Sequence, residues 1–141
     1  MTTPFETAHR LVGEVSERPG TAHHPFILWC HEATTLSAVT DEVPWCSSFV
    51  NRIAWLHRLP RSKSAAARSW LGIGQAIDLP QAEVGWDVVI LSRGAPPAGH
   101  VGFFAGISGG NILVLGGNQG NNVTIEPFVI DRLLGIRRLK L

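Results

Sequence analysis

A chain of 141 residues is long enough for one domain with its own core, so disulfide or metal staples are not required. A net charge of +1, with charged residues at 16%, excludes the strongly basic surface of nucleic-acid or anionic-membrane binders. Two cysteines are too few for a disulfide scaffold, and no run approaches the about 18 apolar residues of a membrane span. The polar N-terminus through Arg10 lacks the apolar segment of a signal peptide, so synthesis in the cytoplasm is expected.

The first part of the chain has helical periodicity. Apolar residues at three- and four-residue steps predict an amphipathic helix over Pro4 to Val15. The turn signal at Pro19-Gly20 ends it. A second short helix is predicted from Phe26 to Ala33, and the polar, small residues Thr34 to Thr40 predict a loop.

The next predicted helix contains Cys46, the first candidate catalytic residue of the chain. Four apolar residues form one helical face: Trp45, Phe49, Ile53 and Leu56. Asp41 is a candidate N-cap, and Pro60 forces the chain out of the helix. Cys46 then lies in the first or second turn, where free backbone N–H groups and the helix dipole favour a thiolate. The alternative is a small buried hydrophobe, which is how most free cysteines behave.

The second half of the chain changes period. After an alanine-rich helix at Ala65 to Leu71, runs bounded by Gly, Pro and Asn predict strands. The predicted strands are Trp86 to Ser92, His100 to Ile107, Ile112 to Gly117, Val123 to Phe128 and Leu133 to Leu139. Helices followed by consecutive short strands predict an α+β fold, with an antiparallel sheet of about five strands. No linker or repeat divides residues 1–141, so a single domain is expected.

The central hairpin brings further polar residues into reach. With its turn centred near Gly109, His100 falls opposite Asn118 on the same sheet face. Asn118 could then bond one ring nitrogen of His100 and leave the other free to face a thiol. Gln119 should point to the opposite face unless a bulge or a one-residue slip exchanges the two roles. Alone, His100 would be interpreted as a strand-end histidine with a structural hydrogen bond.

Together, cysteine, histidine and amide match the nucleophile, base and orienting group of a thiol hydrolase. The imidazole of His100 would take the thiol proton and return it to the leaving amine. Asn118 would hold the ring, and N–H groups at the start of the Cys46 helix would stabilise the oxyanion.

These motifs resemble the NlpC/CHAP group of papain-like cysteine peptidases and amidases. The segments that carry the resemblance are Asp41 to Asn51, Ala66 to Leu71, Gly99 to Phe103 and Leu115 to Gln119. The resemblance implies a papain-like fold with the nucleophile at a helix N-terminus packed on the sheet. It also implies Cys46, His100 and Asn118 as catalytic residues and peptidoglycan as substrate. CHAP-like relatives often have an acidic residue near the third position, whereas this chain has Asn118 alone or with Gln119 assisting.

Other candidates have weaker patterns. Trp45 and Asp41 flank the cleft expected at Cys46, although core packing and capping are their simpler interpretations. His57 lies about 16 Å along the same helix from Cys46, too far to act as its base. The only cluster suggesting a metal matches no zinc template: His23, His24, Cys30, His31 and Glu32. No metal or cofactor is therefore expected, and Cys30 is interpreted as core.

The sequence thus predicts a peptidoglycan hydrolase, either an endopeptidase or an amidase. Two settings fit the missing signal peptide: a phage endolysin after holin-type release, or an injected effector with a cognate immunity protein. Either would act on the wall from the periplasm, with no nucleic-acid partner and no wall-binding module. The rival hypothesis is a non-catalytic wall-binding or phage structural module on the same fold.

Overall fold

The computed structural model describes residues 2–18, 24–35 and 44–140. Within them lie three α-helices: α1 (Pro4–His9), α2 (Pro25–His31) and α3 (Cys46–Leu56). Six strands follow: β1 (Gln75–Ile77), β2 (Asp87–Ser92), β3 (Gly99–Ser108), β4 (Asn111–Gln119), β5 (Asn122–Val129) and β6 (Leu133–Arg138). Helices followed by strands confirm the predicted α+β class. None of the helices in these ranges is long and apolar enough to cross a membrane.

The first two helices are shorter than predicted. Thr3 and Glu6 form a reciprocal capping box at the start of α1. The helix ends at His9, and further along Gly13 has a φ of +80° and donates its N–H to Val123 O. This bond and the bridge between Ser16 and Asn122 draw the chain along β5, so Val15 reaches the core from outside the helix.

The alanine-rich segment forms a 3₁₀ helix at Ala67–Gly72, not the predicted α-helix from Ala65. Ala66 is extended, with φ −78° and ψ 124°, so the first two alanines lie outside the helical turn. The prediction rested on alanine propensity, which tertiary contacts override in a segment this short.

All six strands form one antiparallel sheet in the order β1-β6-β2-β3-β4-β5. The prediction of about five strands missed β1, whose three residues pair with the end of β6. A strand of three residues is too short to show alternation in the sequence. The five strands that were predicted are all present, with ends shifted by one or two residues.

Two apolar clusters cover the two faces of the sheet. The larger one joins α3 to the sheet and contains Trp45, Phe49, Ile53, Val88, Ile90, Val101, Phe103 and Leu115. The smaller one lies on the other face and contains Val89, Leu91, Phe104, Ile112, Val114 and Ile136. Because β2 to β4 are covered on both sides, their central residues are apolar at nearly every position, not at every second one. This packing holds the start of α3 against the sheet.

Candidate active site

Cys46 is the first residue of α3, where the sequence predicted a position in the first or second turn. Trp45 precedes it at the N-cap, with φ −126°. Its side chain makes no capping hydrogen bond, so the first backbone N–H groups of α3 are not used by a capping side chain. Cys46 is 5% exposed and is one of the residues that line a cleft.

The polar residues after Cys46 connect α3 to the segment that forms one wall of the cleft. Ser47 Oγ donates to Ser64 O at 2.6 Å and accepts from Trp70 Nε1 at 2.9 Å. Asn51 Nδ2 also donates to Ser64 O, at 3.1 Å, while Asn51 Oδ1 accepts from Lys63 N at 2.8 Å. Every hydrogen-bonding group of these two side chains has a partner, which fixes the wall relative to the nucleophile.

The cleft has a volume of about 250 Å³ and two walls. Its lining residues are Pro44, Cys46, Ala65, Ala66, Ala67, Arg93, Pro97, Ala98 and Gly99. Arg68 Nε donates to Ala98 O at 2.7 Å and so joins one wall to the other. The lining is apolar and small except for the thiol and the guanidinium of Arg93.

The environment of the Cys46 thiol raises its pKa. Burial is the dominant cause, and it outweighs the backbone N–H groups of Val101, Ser47 and Cys46 itself and the charge of Arg93, all of which lower the pKa. The backbone N–H groups at the helix start thus act in the predicted direction, but burial outweighs them and favours the thiol. A base that takes the thiol proton during reaction is therefore needed.

His100 is fully buried near the start of β3 and lies next to the Val101 N–H that faces the thiol. Its Nε2 lies 2.8 Å from Gln119 Oε1. The Nε2 of Gln119 donates to Val114 O at 3.2 Å and to Thr124 O at 2.9 Å. Because these two carbonyls can only accept, they orient the amide with its oxygen toward His100. The imidazole therefore carries its proton on Nε2 and has a lone pair on Nδ1.

The partner of His100 is thus Gln119, and the prediction of Asn118 for this bond is corrected. Next to the turn, Ser108 pairs with Asn111, one residue off the predicted register. A register shift between Phe104 and Gly106 restores the predicted pairs, Phe104 with Val114 and Phe103 with Leu115. The pairing of β4 with β5 then shifts between Gly116 and Gln119, which inserts one extra residue in β4. Asn118 lies in this bulge with φ +59°. The extra residue reverses the alternation and turns Gln119 toward His100.

Two glycines before the bulge make room for the site. A Cβ on Gly116 would lie 2.7 Å from Gln119 Oε1 and 3.3 Å from His100 Nε2. A Cβ on Gly117 would lie 2.5 Å from Cζ3 of Trp45 and 2.9 Å from Cβ of Phe49. Gly116 therefore leaves space for the histidine–glutamine bond, and Gly117 lets the start of α3 approach the sheet.

The surroundings of His100 keep it neutral. Burial lowers its pKa to about 4, the Gln119 bond opposes this, and the charges of Arg93 and Arg132 add to the lowering. Its ring stacks on Phe128 at 5.3 Å between centroids, and the Arg132 guanidinium lies 5.1 Å from the Phe128 ring. Arg93 Nη2 lies 3.2 Å from His100 Nδ1 and donates to that lone pair.

The other residues that the sequence suggested either make structural contacts away from the cleft or lie outside the described residues. Trp45 is fully buried against Phe49 and belongs to the core. Asp41 and His23 lie outside the described residues. His57 Nε2 lies 2.7 Å from Thr7 Oγ1, near α1. In the ranges that the structure describes, no three histidine, cysteine or acidic residues are close enough to hold a metal ion.

The sequence interpretation gave Phe128 and Thr124 no part in the site, and it included Arg93 only as the start of a loop, Arg93 to Gly99, expected to shape the pocket. The sequence did contain a signal for Arg93, because it is the only charged residue between the end of β2 and His100. Thr124 and Phe128 had no comparable signal, because their contacts depend on the bulge in β4.

Comparison with known proteins gives limited information. No family model matches the sequence, and no curated protein matches it. Among solved structures, the chain is similar to an NlpC/P60 family protein from Bacillus cereus ATCC 10987, with 21% identity and a TM-score of 0.49. The match covers 67% of this chain and 31% of that one, so this chain spans less than a third of its length. A likeness of this size assigns neither a family nor an activity.

Proposed function

We propose that this protein is a thiol-dependent hydrolase that cleaves an amide bond in or next to the stem peptide of peptidoglycan. The observation that carries the proposal is the bond from His100 Nε2 to Gln119 Oε1. It leaves His100 Nδ1 as a base within a site whose cleft contains Cys46. This bond by itself also fits a structural histidine, and the proposal depends on its combination with Cys46 at the start of α3, where the Val101 N–H next to His100 faces the thiol.

In the proposed reaction the Cys46 sulfur attacks the amide carbonyl carbon as its proton passes to His100 Nδ1. The carbonyl electron pair moves to oxygen, where the N–H groups at the start of α3 stabilise the negative charge. His100 then protonates the leaving amine as the carbon–nitrogen bond breaks, which leaves a thioester. Water, deprotonated by His100, hydrolyses the thioester and regenerates the thiol. Gln119 holds the imidazole throughout, in the role first predicted for Asn118.

The wall substrate is supported by the motif resemblance around Cys46 and His100 and by the shape of the cleft. An open, apolar cleft lined by alanines and prolines accommodates a peptide backbone and small side chains. The setting, endolysin or injected effector with an immunity protein, and the action from the periplasm belong to the same proposal.

Digestion of purified Gram-negative sacculi, followed by mass spectrometry of the soluble products, tests the function. The wild-type protein should release new muropeptides, and Cys46→Ala should release none. Cys30→Ala is the matched control, because Cys30 is fully buried and does not line the cleft. Intact sacculi with a correctly folded wild-type protein would contradict the proposal and favour the non-catalytic binding module.

A further inference from the structure

Arg93 covers the base of the proposed reaction. It lies just after β2, its side chain reaches the cleft, and its Nη2 donates to His100 Nδ1 at 3.2 Å. Arg93 is an exposed residue, whereas His100 has no exposed surface. A thiol proton can reach Nδ1 only after the guanidinium has moved away from it.

Arg93 also gives the cleft a positive charge. It is the only charged side chain among the described residues that line the cleft. Within residues 2–18, 24–35 and 44–140 it forms no ion pair, and its one side-chain hydrogen bond goes to His100. A guanidinium presents a fork of donors that matches a carboxylate with two parallel bonds, which are stronger than one bond to a neutral imidazole.

We infer that Arg93 binds a carboxylate of the substrate next to the scissile amide and thereby uncovers His100 Nδ1. This inference rests on the proposed function and adds a substrate class to it: amides whose neighbouring residue carries a free carboxylate. Binding and activation are then coupled, because the group that recognises the anion is the group that blocks the base. Substrates with an amidated carboxyl at that position leave Arg93 on His100 and are cleaved more slowly.

Two alkylating reagents of nearly equal size test the anion site without needing turnover. Iodoacetate carries a carboxylate and iodoacetamide a neutral amide. With either reagent, Cys46 sulfur forms a bond to the methylene carbon as the carbon–iodine bond breaks. Iodide leaves with the electron pair, and the thiol proton passes to His100 or water. The ratio of the two Cys46 alkylation rates reports recognition of the anion, because changes in thiol pKa affect both reagents alike.

The iodoacetate-to-iodoacetamide ratio at Cys46 should fall about tenfold in Arg93→Gln, the scale of one charge-assisted contact. Arg93→Met, which keeps an apolar stem, should show the same fall. Arg132→Gln is the control for general electrostatics, since Arg132 acts on His100 without lining the cleft. Its ratio should stay within about twofold of wild type. An unchanged ratio in both Arg93 variants, or an equal fall in Arg132→Gln, would overturn the inference.

The outcomes separate this inference from the proposed function. If the wild-type protein leaves sacculi intact but its iodoacetate-to-iodoacetamide ratio depends on Arg93, wall hydrolysis is refuted and the anion site is retained. Cleaved sacculi with a ratio independent of Arg93 would retain hydrolysis and refute the anion site. Circular dichroism of each variant confirms that the ratios are measured on folded protein.

Discussion

In the described residues, two neighbourhoods combine a cysteine with a histidine, and Cys46, unlike Cys30, lines the cleft. Cys30 and His31 end α2, are both buried, and His31 Nδ1 lies 2.8 Å from Ser48 Oγ. Cys46 and His100 come from separate elements, a helix start and a strand start. Burial raises the thiol pKa in both places. The neighbourhoods therefore differ in access and in partners, not in the residue types present.

The difference shows what converts a buried pair into a candidate site. Around Cys46, backbone N–H groups and the charge of Arg93 oppose the effect of burial, and the cleft gives a substrate access to the sulfur. At Cys30 only the charge of Arg52 opposes the rise in pKa caused by burial, and the Cys30 side chain has no exposed surface. Arg52 itself is held between Trp29 and Trp55, with its guanidinium carbon 4.1 Å and 4.7 Å from their ring centroids.

The largest expected contrast is in alkylation of the two thiols. In native protein at neutral pH, iodoacetamide should modify Cys46 at least about 10³ times faster than Cys30, because Cys30 reacts only when the core opens. Peptide mapping by mass spectrometry gives both rates in one sample. In denaturant the two rates should converge, and comparable rates in the native protein would remove the distinction between the two neighbourhoods.

The pH dependence of stability should report the burial of His100. Its folded pKa of about 4 lies below the ordinary value of 6.5, so between these values the unfolded chain binds the proton more readily. The free energy of unfolding should therefore fall by about 3 kcal/mol from His100 alone as the pH falls from 6.5 to 4. Urea unfolding at several pH values measures it.

His100→Gln should flatten that pH dependence by the same amount. His57→Gln is the matched control, because His57 is only half-buried and should account for a smaller part. A steep dependence that survives in His100→Gln would show that His100 is not the buried neutral group described here.

Equivalent truncations of the two histidine partners should have unequal effects on activity. Gln119→Ala removes the acceptor that fixes the His100 tautomer and should lower kcat/KM about 10²-fold. Ser48→Ala removes the partner of His31 and should change kcat/KM less than about threefold. Rates of muropeptide release under matched conditions provide the measurement.

Asn118→Gly tests the alternative assignment, because glycine tolerates the positive φ of the bulge. Its kcat/KM should stay near the wild-type value. A loss as large as that of Gln119→Ala would return the orienting role to Asn118.

The smallest expected effects concern the two adjacent glycines. Gly117→Ala should destabilise the fold by about 2 kcal/mol, because its Cβ meets the ring of Trp45 and Cβ of Phe49. Gly116→Ala should cost about 1 kcal/mol or less, since it meets the end of the Gln119 side chain, yet it should lower activity. Thermal unfolding and sacculus digestion of both variants test this, and a reversed order of stability would contradict the packing.

Much of the fold could be predicted because its signals are local. The apolar steps from Trp45 to Leu56 indicated α3, and the glycines near Gly109 indicated the β3–β4 hairpin. The predicted register near Phe103 is present only because a shift between Phe104 and Gly106 offsets a one-residue error at the turn. The strand β1 and the 3₁₀ conformation after Ala66 were missed, because both depend on contacts with distant segments.

The site was predictable up to its third member. Cys46 and His100 follow from a helix start and a strand start, which local patterns mark. Gln119 faces His100 only because β4 has an extra residue, and the sequence pattern allowed this bulge only as an alternative that it could not select. The role of Arg93 depends on the loop geometry between Arg93 and Gly99, which no periodicity encodes.

The most direct test of the central claim is the tautomer of His100, read from long-range ¹H–¹⁵N correlations of the imidazole in wild type and Gln119→Ala. At neutral pH the wild-type ring should be neutral, with its proton on Nε2 and Nδ1 unprotonated, and this preference should weaken when Gln119 is truncated. A neutral ring with its proton on Nδ1, or an imidazolium at neutral pH, would leave no base for Cys46 and would contradict the account.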